Sequence, residues 1–221
     1  MNPAAELRLQ AVRLRLLGRE LIGPLDATVA PGECLTLMGP SGCGKSSLLN
    51  FLAGTLDGVF EASGRALIGD IDLTGMAPER RRIGILFQDD LLFPHLSVGG
   101  NLAFALPADV RPHAQRRARI EAALNEAGLS GFAERDPATL SGGQRARVAL
   151  MRTLLAAPRA LLLDEPFNKL DAQLRDEFRD FVFRHARDFG LPTLMVTHDQ
   201  ADARAAGGRI LHLRAAEGAH R

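Results

Sequence analysis

The stretch GPSGCGKSS, residues 39 to 47, places Lys45 and the hydroxyls of Ser46 and Ser47 behind closely spaced glycines. Gly39, Pro40, Ser41, Gly42, Cys43, Gly44, Lys45 and Ser46 match G-x-x-x-x-G-K-[ST], a backbone cradle for phosphate. Glycines let successive N–H groups turn inward on one anion, and a helix beginning there adds its positive end. A lysine ammonium is a compact charge that reaches between terminal phosphates, whereas a planar guanidinium fits such a crevice less well. Ser46 offers a hydroxyl to magnesium. The chain's own composition supports this reading. It holds 27 Lys and Arg residues, of which only Lys45 and Lys169 are lysine. The plain alternative, a glycine-rich turn with a solvated lysine, carries this pattern by chance in about one per cent of average chains this long. The residues expected to bind a nucleotide therefore run from Gly39 to Ser47. Cys43 reads as a small residue contributing its backbone, although its thiol would make nucleotide binding sensitive to alkylation.

Two further constellations say what the phosphates are used for. ALLLDEP, residues 160 to 166, is an apolar strand ending in Asp164 and Glu165. Strands of this kind deliver carboxylates to the sheet edge where ligands bind. Asp164 suits the outer shell of a magnesium ion, and Glu165 suits a base that orients and deprotonates water. In LSGGQ, Leu140, Ser141, Gly142, Gly143 and Gln144, the serine caps a helix and two glycines bare its first N–H groups, another anion-binding start.

These residues need particular elements to hold them. Cys34 to Met38 reads as a buried strand before the cradle, and Lys45 to Ala53 as a helix stopped by Gly54. Val12, Leu14 and Leu16 alternate with arginines as a half-exposed strand, and Asp26 to Val29 reads as a second. Residues 60 to 73 predict a strand pair around Gly69-Asp70, and Ile83 to Phe87 another strand. Helices are expected after Ser97, over 112–127, over 141–156 and after Asp171, with closing strands at 193–197 and 209–213. Alternating strands and helices indicate an α/β core. Residues 89–157 read as an α-helical insertion, leaving a core of about 1–88 and 158–214 within one domain, 1–221.

Bulk numbers bound the rest. The formal net charge is +1, which leaves no basic excess for neutralising nucleic-acid phosphates, so no nucleic-acid partner is expected. Cys34 and Cys43 show no CxxC spacing, which fits a reducing cytoplasm. No apolar run approaches a membrane span, and Met1 to Gln10 lacks a signal peptide's apolar region. Work at a membrane would then need a membrane-embedded partner.

At this point the chain resembles the ATP-binding subunits of ABC transporters, over nearly its whole length. GPSGCGKSS is similar to that family's Walker A, LLLDEP to its Walker B and LSGGQRARVAL to its signature. Gln88 in ILFQDD falls at its glutamine loop, Asp171 in NKLD at its aspartate loop, and His198 in VTHD at its switch histidine. The resemblance implies a P-loop NTPase core of mostly parallel sheet with helices, an N-terminal antiparallel β subdomain and the helical insertion. It implies ATP and Mg2+ as ligands, with Ser46, Gln88 and Asp164 at the metal and Glu165, His198 and Gln88 catalytic. It also implies a head-to-tail dimer in which Leu140 to Gln144 act on the partner's ATP, and closure that drives a membrane permease. The chain would then lie in the cytoplasm, on the inner face of the inner membrane. ILFQDDLLFPHLSVGGNL is similar to a segment of bacterial importer ATPases of the ferric, thiamine and spermidine group, where Phe93, Pro94 and His95 would sit near a permease coupling helix. Such importers also work with a substrate-binding protein. The short thiamine-type members are the nearest likeness, and the regulatory domain of sugar and polyamine relatives is expected to be absent. A cell-division or envelope-remodelling ATPase would share the core motifs.

Three features depart from that family or stand outside its motifs. The early strand has no aromatic residue to stack on adenine; Leu16, Leu17, Arg13 or Arg15 would take its place. Asn168-Lys169 replaces a small pair, with Lys169 either solvated or touching the partner. Arg111 to Arg119 is a basic stretch read either as a solvated helix face or as a contact for lipid or permease.

Overall fold

The computed structural model describes residues 5–213; the termini expected to complete the 1–221 domain, and the core boundary at 214, lie outside the described residues. In chain order the elements are β1 (Leu7–Leu16), β2 (Arg19–Val29), β3 (Cys34–Met38), α1 (Lys45–Ala53), β4 (Phe60–Ile68), β5 (Ile71–Asp72), α2 (Pro78–Arg81) and β6 (Ile83–Leu86). Then come α3 (Val98–Ala105), α4 (His113–Glu126), a 3-10 turn (Pro137–Thr139) and α5 (Gly142–Leu155). The chain closes with β7 (Ala160–Asp164), α6 (Ala172–Asp188), β8 (Thr193–Val196), α7 (Gln200–Ala206) and β9 (Ile210–His212). Two compact units emerge among the described residues: 5–85, 159–165 and 183–213 form one, and 86–158 with 166–182 the other.

The first unit holds both sheets. An antiparallel sheet runs β2-β1-β4-β5, and a five-stranded sheet runs β6-β7-β8-β3-β9, with β3 parallel to β8 and β9, and β7 parallel to β8. Strand β3 is buried along its whole length, as expected of a strand covered on both faces. In β1 the buried residues are Leu7, Leu9, Val12 and Leu14. The alternation slips by one between Leu9 and Val12, where Ala11 takes φ 47 in a bulge and its N–H donates to Asp26 Oδ1 at 2.8 Å. Strand β2 reaches back to Arg19, well before the expected Asp26. It is an edge strand, which tolerates Pro24 because no ladder bond need be lost there.

Helix α1 packs Leu48, Leu49 and Leu52 into the core with Leu35, Leu37 and Leu162; each such burial is worth about 1.5–3 kcal/mol. Its C-terminus is held by a buried cation. Arg81 is 6% exposed and donates to the carbonyls of Phe51 and Leu52 at 2.6 and 3.0 Å, and to Met76 O at 2.8 Å. Burial lowers the guanidinium's pKa from its ordinary value, yet an arginine stays charged, and the negative end of α1 is the counter-charge. Replacing Arg81 with Met should lower the unfolding free energy by about 2 kcal/mol. Urea unfolding checks this through a lower midpoint at constant slope, and an unchanged midpoint would refute it.

The second unit is mainly helical. Ser97 caps α3 by accepting from Gly100 N at 3.1 Å, and Asp171 Oδ1 accepts from Leu174 N at 3.1 Å before α6. Phe167 and Phe178 are buried edge-to-face, with ring centroids 5.9 Å apart. The cradle helix and its strand, α5 and β7 lie where hydrophobic periodicity and caps predict. Helices α2 and α7 span four and seven residues, too short for periodicity to declare them.

Candidate functional site

The cradle is built by a left-handed backbone. Gly42 has φ 78 and Gly44 φ 94, values that L side chains rarely adopt. At Gly44 a Cβ would also stand 3.0 Å from Ile22 Cγ1, so β2 closes against the loop. Gly44 is the N-cap of α1 and offers no side chain. The first N–H groups of α1 therefore lack a side-chain acceptor and suit an anion. Lys45 is 8% exposed, and its ammonium donates to Gly39 O at 2.8 Å and Pro40 O at 2.9 Å, with Cys43 Sγ at 3.9 Å. Cys34 and Cys43 are both free and buried, and burial pushes the Cys34 thiol up to about 12.

The acidic pair arrives from β7. Ser46 Oγ donates to Asp164 Oδ1 at 3.4 Å across 118 residues of sequence. Burial raises the Asp164 pKa, as does the charge of Glu165, while the Ser46 hydrogen bond and Lys45 lower it. Glu165 sits at φ 48, a strained setting for a non-glycine, and its N–H is fixed to Val196 O at 3.0 Å. His198 Nδ1 lies 3.3 Å from Glu165 Oε1. The loop carrying His198 is itself pinned. Thr197 Oγ1 donates to fully buried Asp202 at 3.1 Å and accepts from Asp199 N at 3.0 Å, while Asp199 Oδ1 caps α7 by accepting from Ala201 N at 2.6 Å. Sequence reasoning missed Thr197 and Asp202, because their partnership depends on α7.

So Lys45, Ser46, Asp164, Glu165 and His198 belong to the first unit, where Ser46 bonds Asp164, the Lys45 charge acts on Asp164 and Glu165 meets His198. The donor set fits a hard divalent cation: an alcohol beside a half-buried carboxylate whose neighbour is also acidic. Among the described residues no three His, Cys, Asp or Glu side chains cluster as a metal cage, so ligands of other kinds, such as phosphate oxygens and water, would fill the remaining coordination positions.

Gln88, Ser141 and Asp171 lie in the second unit. Ser141 and Gln144 form a capping box: Ser141 Oγ accepts from Gln144 N at 3.3 Å, and Gln144 Oε1 accepts from Ser141 N at 3.0 Å. A Cβ at Gly143 would meet Leu174 Cδ2 at 3.3 Å, so that glycine permits α5 to approach α6. Gln88 lines a groove of about 550 Å³ with Asp89, Gly142, Arg145, Lys169 and Leu170.

A family model described as ABC transporter matches residues 22–168. The chain belongs to the ABC transporter ATPase family. The uncharacterized ABC transporter ATP-binding protein YnjD of Escherichia coli K12 is 50% identical over 194 residues, covering 88% of this chain and 89% of YnjD. PhnT of Salmonella typhimurium LT2, named for 2-aminoethylphosphonate import, is 42% identical, covering 91% of this chain and 54% of PhnT. PotA of Marinobacter nauticus, a spermidine/putrescine import ATP-binding protein, is 42% identical, covering 89% of this chain and 52% of PotA. This ABC ATPase thus spans about half the length of those two relatives. Its fold matches the dimeric structure of MJ0796, a bacterial ABC transporter cassette, with TM-score 0.77, 30% identity and 94% of each chain covered. A post-hydrolysis dimer of the same cassette with ADP and Pi matches with TM-score 0.77 and 29% identity, over 95% of this chain and 96% of that one. The ABC ATPase described here is accordingly an α/β P-loop protein, and no helix of its described residues is long and apolar enough to cross a membrane.

The β1–β2 hairpin carries the positions expected at the nucleobase. Leu17 is 85% exposed at the turn, and Arg13 pairs with Glu20 at 3.3 Å. An aliphatic tip forgoes aromatic stacking worth about 1 kcal/mol. The kcat/KM for GTP should therefore fall within about fivefold of that for ATP; phosphate-release assays with both nucleotides test it, and a strong ATP preference would sink it.

Proposed function

We propose that this chain is the ATP-hydrolysing subunit of a bacterial ABC importer. Lys45 and the loop from Gly39 to Ser47 would take the phosphates, and Ser46 and Asp164, with Gln88, would hold Mg2+. Bound magnesium supplies charge neutralisation at the terminal phosphates. Glu165 is the base that takes a proton from the attacking water, and His198, 3.3 Å from it, orients that carboxylate and contacts the transferred phosphate. Two copies would pack head-to-tail, with Leu140 to Gln144 of each facing the other's nucleotide and Asp171 at the dimer seam. ATP closes the dimer, hydrolysis reopens it, and the motion drives a permease fed by a substrate-binding protein. The chain would be held at the inner membrane from the cytoplasm through that permease, within a domain whose helical part is 89–157.

The observation that carries the chemistry is the meeting of Glu165 with His198 beside the Ser46–Asp164 contact. The importer role is supported by the import proteins at 42% identity. To test it, tagged Glu165→Gln chain is purified from gently solubilised membranes with ATP, and bound proteins are identified by mass. A polytopic permease with a binding protein is the expected result. A division or envelope-remodelling partner without a transport pathway would overturn the importer role.

A further inference from the structure

Lys169 is the only lysine besides Lys45 in a chain with 25 arginines among its 27 basic residues, and its place in the fold is specific. Its ammonium pairs with Asp89, 80 residues away, the residue directly after Gln88. The adjacent Asp90 is paired from another direction: Arg145 Nε lies 3.3 Å from its Oδ2, and Arg145 also donates to Leu140 O at 2.7 Å. Arg152, two turns further along α5, donates to Leu91 O at 2.7 Å and Asp90 O at 3.1 Å. Leu91 itself sits at φ 47, a backbone setting that persists only where its surroundings over-determine it. All of these residues belong to the second unit.

We propose that Lys169 is a positioning residue for ATP hydrolysis: with Arg145 it clamps Asp89-Asp90, and so fixes the segment after Gln88 to the segment after Glu165. The two carboxylates are neighbours in sequence, yet their bases come from different places. Arg145 stands at the start of α5, just past Gln144; Lys169 stands in the stretch between Glu165 and Asp171. One short segment is thereby tied both to the glycine-rich start of α5 and to the residues between β7 and α6. Lysine suits the outer position. Its side chain is 54% exposed and that of Asp89 63%, so the pair can open and re-form, while the less exposed Arg145–Asp90 pair, at 39% and 28%, holds the segment's inner side. An exposed pair adds little to folding stability. Its loss should therefore show in the rate before it shows in the melting curve.

The proposal rests on the ATPase reading above, and the experiment separates the two. Full-length wild type, Lys169→Asp, Asp89→Lys and the double charge swap are compared for kcat, KM, nucleotide affinity and melting temperature. Each single variant puts like charges in contact and should lower kcat roughly fivefold, the rate equivalent of about one exposed ion pair, with nucleotide affinity and melting temperature unchanged. The double swap restores the pair and should recover most of kcat. Singles as active as wild type, or a swap no better than either single, would overturn the positioning role. A single that loses melting temperature in step with kcat would also overturn it, since the pair would then be structural. A wild type without ATPase activity would instead sink the function proposed above.

Discussion

Glu165→Gln is expected to lower kcat for ATP by about 10²- to 10⁴-fold, the range for removing a positioned general base. The substitution keeps the side chain's size and a hydrogen-bonding oxygen but removes its basicity. The carboxylate stands at the end of β7 with its backbone fixed at φ 48 and its N–H on Val196 O at 3.0 Å. Such strain is retained where geometry matters. Binding should survive, because Lys45 and the left-handed glycines do not depend on Glu165. Nucleotide titration should place Kd for ATP within about threefold of wild type, while phosphate release nearly stops. A variant retaining more than about a tenth of the wild-type rate would show that another group takes the proton.

Lys45→Arg keeps the charge and should still raise the nucleotide Kd about 100-fold. The ammonium sits 8% exposed between Gly39 O and Pro40 O at 2.8 and 2.9 Å. The wall of that slot cannot retreat easily. Even one added carbon at Gly39 would lie 2.7 Å from Leu213 O and 2.9 Å from Cys43 Sγ. A planar five-donor guanidinium needs more width than one ammonium, so it would have to displace the loop that cradles phosphate. Calorimetric titration of ATP reads the affinity, and circular dichroism confirms folding. Wild-type affinity in the arginine variant would mean that charge alone serves, and the shape argument would fall.

Legibility followed the distance along the chain over which each feature is encoded. The cradle is eight consecutive residues, and the hydrophobic spacing of α1 and the Ser141 capping box lie within a turn or so of themselves. Local rules reach such features. Strand β2 extends seven residues before the expected Asp26, through Gly23 and Pro24, which interrupt a strand pattern; only its place at a sheet edge makes them harmless. Thr197 and Asp202 lie five residues apart, yet their bond depends on α7, which is too short to leave a periodic signal.

What the sequence by itself determined is the α/β phosphate-binding core, the cradle with its lysine, and the carboxylates at the end of an apolar strand. Each follows from residue type at fixed short spacing, where backbone geometry leaves few choices. Only the tertiary structure decided what the long-range partners are. Ser46 reaches Asp164 across 118 residues, Lys169 reaches Asp89 across 80, and Arg81 caps the end of α1 from 30 residues away. None of these pairs leaves a local mark. A charged or hydroxyl side chain has many possible partners, and the packing of buried strands and helices selects one.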